Sequence, residues 1–271
     1  MASSPLHEPA AMNDPKAPQG LGAQLKAVYL SSRKKRDITW NTYVARPAAA
    51  VLVYFLAKTP ITPNQVSMLG ALVFLATPAA LIFWRSPLGL IVAALMLQLA
   101  YIFHCADGQL ARLTGMTSPV GAYLDFLIDE VKALLLVAAC GVRLWLIHDD
   151  LRWLIASLLG VVLVSVATSL TTFVRRPEYA GEQIMPGVHA ARERPTSALG
   201  LLLWGVESAA KYLIHYPSWF SYIALLGLFT PFDGAIPFLA LFMGVYMLYT
   251  AKTGLAVTLK LARPGFYQHR D

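Results

Sequence analysis

HCADGQLARLTGMTSPVGAYLDFLIDE, residues 104–130, holds four carboxylates, Asp107, Asp125, Asp129 and Glu130, out of 15 Asp and Glu in a chain of 271 residues. It sits between two of the most apolar stretches of the sequence. Runs of that length are what a hydrocarbon core of about 30 Å requires of a crossing helix. The stretch therefore reads as a short turn between two membrane spans, with acids a few turns up each side. Charge at that depth is expensive, so it needs a function.

Composition sets the frame. The chain is 57% hydrophobic and only 14% charged, where a soluble domain carries about a quarter charged residues. The fold class is all-α: an integral membrane protein of six transmembrane helices. The spans are expected near 64–84, 87–113, 119–146, 151–174, 212–230 and 236–259. Lys and Arg crowd the segments on the side of the termini, while the other side has only Arg85, Arg143 and Arg152. The positive-inside rule then makes both termini cytoplasmic, and the expected location is a bacterial inner membrane. The net charge of +7 reads as topology and attraction to anionic lipid. Without interleaved basic and aromatic residues, nucleic acid is not an expected partner. Cys105 and Cys140 fall in expected spans and read as small core residues, not as a disulfide.

Four regions follow: a disordered basic N-terminal tail (1–36), an amphipathic juxtamembrane helix (37–60), the six-helix domain (61–260) and a cytoplasmic tail (261–271). In the juxtamembrane element Trp40, Tyr43, Val44, Pro47, Val51, Tyr54 and Phe55 recur at helical spacing. It reads as an interfacial helix with aromatic anchors, its main part opening at Pro47. Thr62-Pro63 suits the start of the first span, Thr62 as cap and Pro63 as first helical residue; Ser118-Pro119 does the same for the third. Trp204, Trp219, Tyr216 and Tyr222 read as an interface belt, and His189 and His215 as structural.

The acids form a geometry. With the turn at 114–118, Asp107 lies about seven residues up one helix and Asp125 about six up the next, each roughly 10 Å above the turn. Asp125 and Asp129 are i and i+4 and share a face. His104 lies one turn deeper than Asp107, level with Asp129, so the count gives two opposed pairs. Several carboxylates so close repel one another unless a cation joins them. Hard cations such as Mg²⁺ take oxygen ligands and share them with substrate phosphates. Gly108 and Gly121 expose backbone where a ligand approaches. Arg112 is placed to neutralise a phosphate. The competing structural reading, in which the acids pair with Lys132, Arg112 or backbone, suits one such acid better than three at matched depth.

Asp107-Gly108-x2-Ala111-Arg112-x8-Gly121-x3-Asp125-x3-Asp129 resembles the signature of the CDP-alcohol phosphotransferase family, as do Thr62-Pro63-Asn64, the interfacial helix and the six spans. The likeness takes in roughly residues 37–260. It implies displacement of CMP from a CDP-linked donor, such as CDP-diacylglycerol, by an alcohol acceptor with Mg²⁺ or Mn²⁺ at a two-metal site. Carried over, Asp107 and Asp125 hold metal, and Asp129 is the general base that also touches the second metal. Gly108, Ala111, Arg112 and Gly121 shape the nucleotide and pyrophosphate site, with Asn64 nearby as donor contact or cap. The resemblance also implies a homodimer. One position departs: the family pattern opens with an Asp where this chain has His104. A neutral imidazole neither adds negative charge nor bridges two metals, and it suits Mn²⁺ better than Mg²⁺. Three outcomes stay open: an enzyme with altered metal preference or one weakened site, an enzyme in which His104 is only a packed neighbour, and an impaired member that binds or regulates. Arg175, Arg176, Arg192 and Arg194 read either as topology determinants or as a clamp for a phosphorylated acceptor.

Overall fold

Proline and hydroxyl caps set the helix boundaries near the site. In this computed structural model, which describes residues 20–34, 37–182 and 215–263 and a few single positions between 184 and 205, Thr62 and Gln65 close a reciprocal capping box. Ser118 Oγ accepts the Gly121 N–H at 3.0 Å, starting the helix at Pro119. Each hydroxyl satisfies an N–H that the first turn leaves without a carbonyl.

All regular structure among the described residues is helical. The order is α1 (Leu21–Ser32), a π turn (Asn41–Ala45), α2 (Arg46–Leu56), α3 (Pro63–Phe74), α4 (Ala76–Phe83), α5 (Pro87–Thr114), α6 (Pro119–His148), α7 (Arg152–Val174), the single turn α8 (Pro177–Ala180), α9 (Tyr216–Leu226) and α10 (Ala235–Leu261). Among the described residues, five helices are long and apolar enough to cross a membrane: Pro63–Phe83, α5, α6, α7 and α10. The first of these is interrupted at Leu75, because Pro78 has no N–H to offer Phe74 and its ring crowds that carbonyl. Of the expected fifth span, 212–230, the described part holds α9, whose 11 residues reach about 16 Å; residues 206–214 lie outside the described set, as do 1–19, His189, Arg192, Arg194 and 264–271.

The chain divides into two compact units, 1–77 with 92–128, and 78–91 with 129–271. In the first unit, Val28 of α1, Ala45, Ala49, Ala50, Val53, Tyr54 and Ala57 around α2, Val66 of α3, and Cys105, Ala106 and Leu110 of α5 share one core. One expectation changes here. Residues 21–32, read as disordered tail, form α1, because Val28 is buried in that core and Tyr54 Oη donates to Gln24 Oε1 at 2.6 Å. Pro47 stands at the start of α2, as expected for the main part of the juxtamembrane helix. Helical backbone also runs ahead of it from Thr39, through the π turn. The juxtamembrane helix has two apolar faces. Its alanine face packs inward, while Tyr43, Val44, Val51 and Phe55 stay exposed.

In the second unit, Phe220, Phe238 and Phe242 are buried, and Trp219 and Tyr216 pack on them at centroid distances of 4.7 and 5.7 Å. Those two aromatics, expected in an interface belt, belong to the core of this unit. α7 lies close to α6 at Gly160, where an added Cβ would meet Val137 at 2.8 Å. Arg143, read as a charge marking the end of a span, is fully buried and hydrogen-bonds to Asp233 and to the carbonyls of Leu81, Trp84, Arg85 and Ser86. It ties the α4–α5 connection to the turn before α10.

Candidate metal and substrate site

α5 and α6 leave the turn at 115–118 as the sequence count expects. Three chemistry-bearing side chains of the first unit meet there. Ligand atoms of His104, Asp107 and Asp125 all lie within 4.8 Å of one another. His104 Nδ1 is 2.8 Å from Asp125 Oδ1, and Ser67 Oγ on α3 donates to Asp107 Oδ2 at 2.6 Å. Asp107 is 7% exposed, whereas the Asp125 side chain is 42% exposed. A buried carboxylate beside a second one calls for positive charge, and two carboxylates with an imidazole form a mixed oxygen and nitrogen donor set of the kind Mn²⁺ accepts. The residues present therefore fit a divalent cation.

The depth count had set His104 opposite Asp129 and Asp107 opposite Asp125. The structure brings His104 Nδ1 within 2.8 Å of Asp125 Oδ1. The imidazole is longer than a carboxylate and spans the one-turn offset, so both His104 and Asp107 reach the same Asp125.

Around this trio the small and basic residues have definite places. A Cβ on Gly108 would meet Arg112 Nη1 at 3.3 Å, so glycine there lets the guanidinium fold back along α5. Arg112 Nε donates to the Ser32 carbonyl at 2.6 Å, while its buried Nη2 has no hydrogen-bond partner among the described residues. A donor held that way suits an anion. A Cβ on Gly121 would lie 3.2 Å from Asn64 Oδ1, which places the exposed Asn64 beside the start of α6. Ala111 is half-buried, one turn beyond Asp107.

Asp129 is one turn beyond Asp125 on α6. In the second unit its side chain is 46% exposed, with Lys132 Nζ at 3.5 Å. Glu130 turns to Thr168 on α7. Ser67 had not been singled out from the sequence. The available signal was a hydroxyl on a strongly apolar helix, one turn past Pro63 and at a depth where α5 carries acid.

The family model for CDP-alcohol phosphatidyltransferase matches residues 60–253. The chain belongs to the CDP-alcohol phosphatidyltransferase family. That membership places it among the CDP-alcohol phosphotransferases. It is 30% identical over 172 residues to an archaetidylinositol phosphate synthase of Pyrococcus horikoshii, which takes in 62% of this chain and 83% of that protein. It is 32% identical over 107 residues to a bifunctional IPC transferase and DIPP synthase of Aquifex aeolicus, 40% of this chain and 24% of that protein. An uncharacterised protein of Aquifex aeolicus is 29% identical over 163 residues, 60% of this chain and 79% of its own length. The match therefore spans about a quarter of the bifunctional relative. The family residues include α3 and the α5–α6 hairpin, and so the whole His104, Asp107 and Asp125 group.

Proposed function

We propose that this protein transfers a substituted phosphoryl group from a CDP-linked lipid donor, such as CDP-diacylglycerol, to an alcohol acceptor, releasing CMP within phospholipid synthesis. The observation that carries the reading is the convergence of His104, Asp107 and Asp125 on the hairpin matched by the family. His104, Asp107 and Asp125 would hold a divalent cation, Mg²⁺ or Mn²⁺, with Asp129 contributing to a second. When bound, such ions neutralise the diphosphate and the charge that develops on transfer.

The rest falls to the chain's own groups. Asp129 accepts the proton of the acceptor hydroxyl as its oxygen bonds to the lipid-bearing phosphorus. The bond from that phosphorus to the bridging oxygen breaks, and CMP leaves with the electron pair. Arg112 holds a donor phosphate, and Gly108 and Gly121 keep the approach open. Ser67 orients Asp107. Asn64 borders the nucleotide side. Both termini and this site face the cytoplasm in a bacterial inner membrane, the donor's tails stay in the bilayer, and the protein is a homodimer. The juxtamembrane helix lies at the interface with its exposed aromatic face on lipid. The Pyrococcus relative is named for an inositol phosphate product, which puts inositol phosphate first among acceptors to try, with Arg175 and Arg176 as phosphate contacts.

His104 supports a second reading, in which the chain binds donor without turning it over. The test is CMP release from CDP-diacylglycerol by the purified protein and by His104→Asp, with Mg²⁺ or Mn²⁺ and inositol phosphate, glycerol phosphate, serine or choline. Release by the native protein, faster with Mn²⁺, is expected. Release by the variant alone would replace the enzymatic reading with the binding one.

A further inference from the structure

A carboxylate and an imidazole make different demands on their surroundings. Rotating a carboxylate by half a turn exchanges two equivalent oxygens. The same rotation of an imidazole exchanges a nitrogen for a carbon. With His104 where the family pattern has Asp, a site of this chain needs something to fix the plane and the face of the ring.

Such a device is present, and most of it lies before residue 60, where the family match begins. The Tyr101 ring, one turn from His104 on α5, stacks on the imidazole with centroids 5.3 Å apart and planes 19° from parallel. Tyr101 Oη donates to Asn41 Oδ1 at 2.8 Å. Asn41 Nδ2 donates to Asp37 Oδ1 at 2.9 Å, and Asp37 also pairs with the buried Arg46. The ring thus has a support anchored three residues deep. On its other edge, His104 Nδ1 faces the Asp125 carboxylate at 2.8 Å. A carboxylate only accepts, so without metal the Nδ1 proton lies on this edge of the ring.

We propose that Asn41 and Tyr101 are positioning residues that hold the His104 imidazole in one orientation, compensating for the loss of the family's symmetric carboxylate. This rests on the metal-site reading above. Partners of a metal-bound histidine fix its tautomer and direction, and their removal costs roughly ten- to a hundred-fold in metal affinity.

The experiment has two readouts. In protein labelled with ¹⁵N-histidine, the His104 signals are those missing from His104→Asp, and they report the tautomer without metal. Mn²⁺ binding followed by electron paramagnetic resonance reports the site. Tyr101→Leu, which removes the stack, is expected to replace a single Nδ1-protonated ring by averaged signals and to weaken Mn²⁺ binding about ten-fold. Tyr101→Phe, which keeps the packing but loses the bond to Asn41, is expected to show a smaller change in the same direction and keeps the test decisive if Tyr101→Leu does not fold. In the His104→Asp background both substitutions should change Mn²⁺ affinity less than about two-fold, since a carboxylate needs no ring support. Unchanged His104 signals in both Tyr101 variants, or equal losses of affinity in the two backgrounds, would overturn the proposal. Expected ring signals in a native protein that binds no Mn²⁺ would uphold the positioning and sink the metal reading.

Discussion

Arg143 Nε and Nη2 both donate to the Asp233 carboxylate, at 3.0 and 2.8 Å, across 90 positions of sequence. The remaining guanidinium hydrogens go to four backbone carbonyls, so one residue satisfies five acceptors at a helix end. Arg143→Leu would bury a carboxylate without its cation and leave those carbonyls unmet. Breaking a buried pair from one side costs about 3–5 kcal/mol, and a thermal melt in detergent should fall by about 10 °C. Arg143→Lys, with one point charge in place of a planar fork, should fall less but measurably.

Ser67→Ala removes the hydroxyl that donates to Asp107. The fold should be unaffected, because only the part-buried contacts of one hydroxyl, to Asp107 and to the Pro63 carbonyl, are lost. Mn²⁺ affinity, measured by titration calorimetry, is expected to drop about ten-fold. An unchanged affinity would show that Asp107 is held without α3.

Gly108→Ala and Gly141→Ala separate activity from stability. At Gly108 the new methyl meets the mobile end of Arg112 at 3.3 Å, so the guanidinium shifts and the backbone does not. CMP release should fall about ten-fold, roughly one lost charge-assisted hydrogen bond, with the melting temperature kept. At Gly141 the methyl meets Ser157 Cβ at 2.1 Å and the Trp153 carbonyl at 3.0 Å. Backbone cannot yield there, and about 1–3 kcal/mol of stability should be lost. The pair of melts and the pair of CMP assays check this directly.

Asp37 carries a pH dependence. Burial raises its pKa, but the Arg46 charge and the hydrogen bonds from Arg46, Asn41 and the Ile38 N–H outweigh it and hold the group below its ordinary 3.8. A carboxyl with a lowered folded pKa adds stability above its unfolded pKa and loses it as pH falls through the folded value. Thermal melts should therefore drop on acidification below pH about 4, and Asp37→Asn should flatten that drop while lowering the melt at neutral pH.

The local signals were legible. Thr62-Pro63 and Ser118-Pro119 placed two helix starts, since a cap is written within four residues. That Asp107 and Asp125 meet across facing helices was legible too, because helical rise turns sequence distance into depth. What depends on distant partners was not. Nothing near Arg143 announces Asp233, and a span-end arginine reads the same whether it meets water or carbonyls. α1 owes its order to Val28 and Gln24 meeting α2 and α5 residues, so its own composition resembles a tail. Pro47 marked the start of α2 because a helix interior excludes proline, while the π turn ahead of it left no such local mark.

That π turn at Asn41–Ala45 also sets an angular phase. It holds one residue more than an α turn, which rotates everything before it by about 100° relative to an unbroken helix. The alanine face of α2 can then sit in the core while Asn41, upstream of the extra residue, still looks toward Tyr101. Deleting one residue between 41 and 45 would give a more regular helix and a worse protein. It would keep every hydrogen bond of α2 and swing Asn41 off the ring that supports His104. The irregular turn works as a phase shifter, letting one helical rod serve two directions at once.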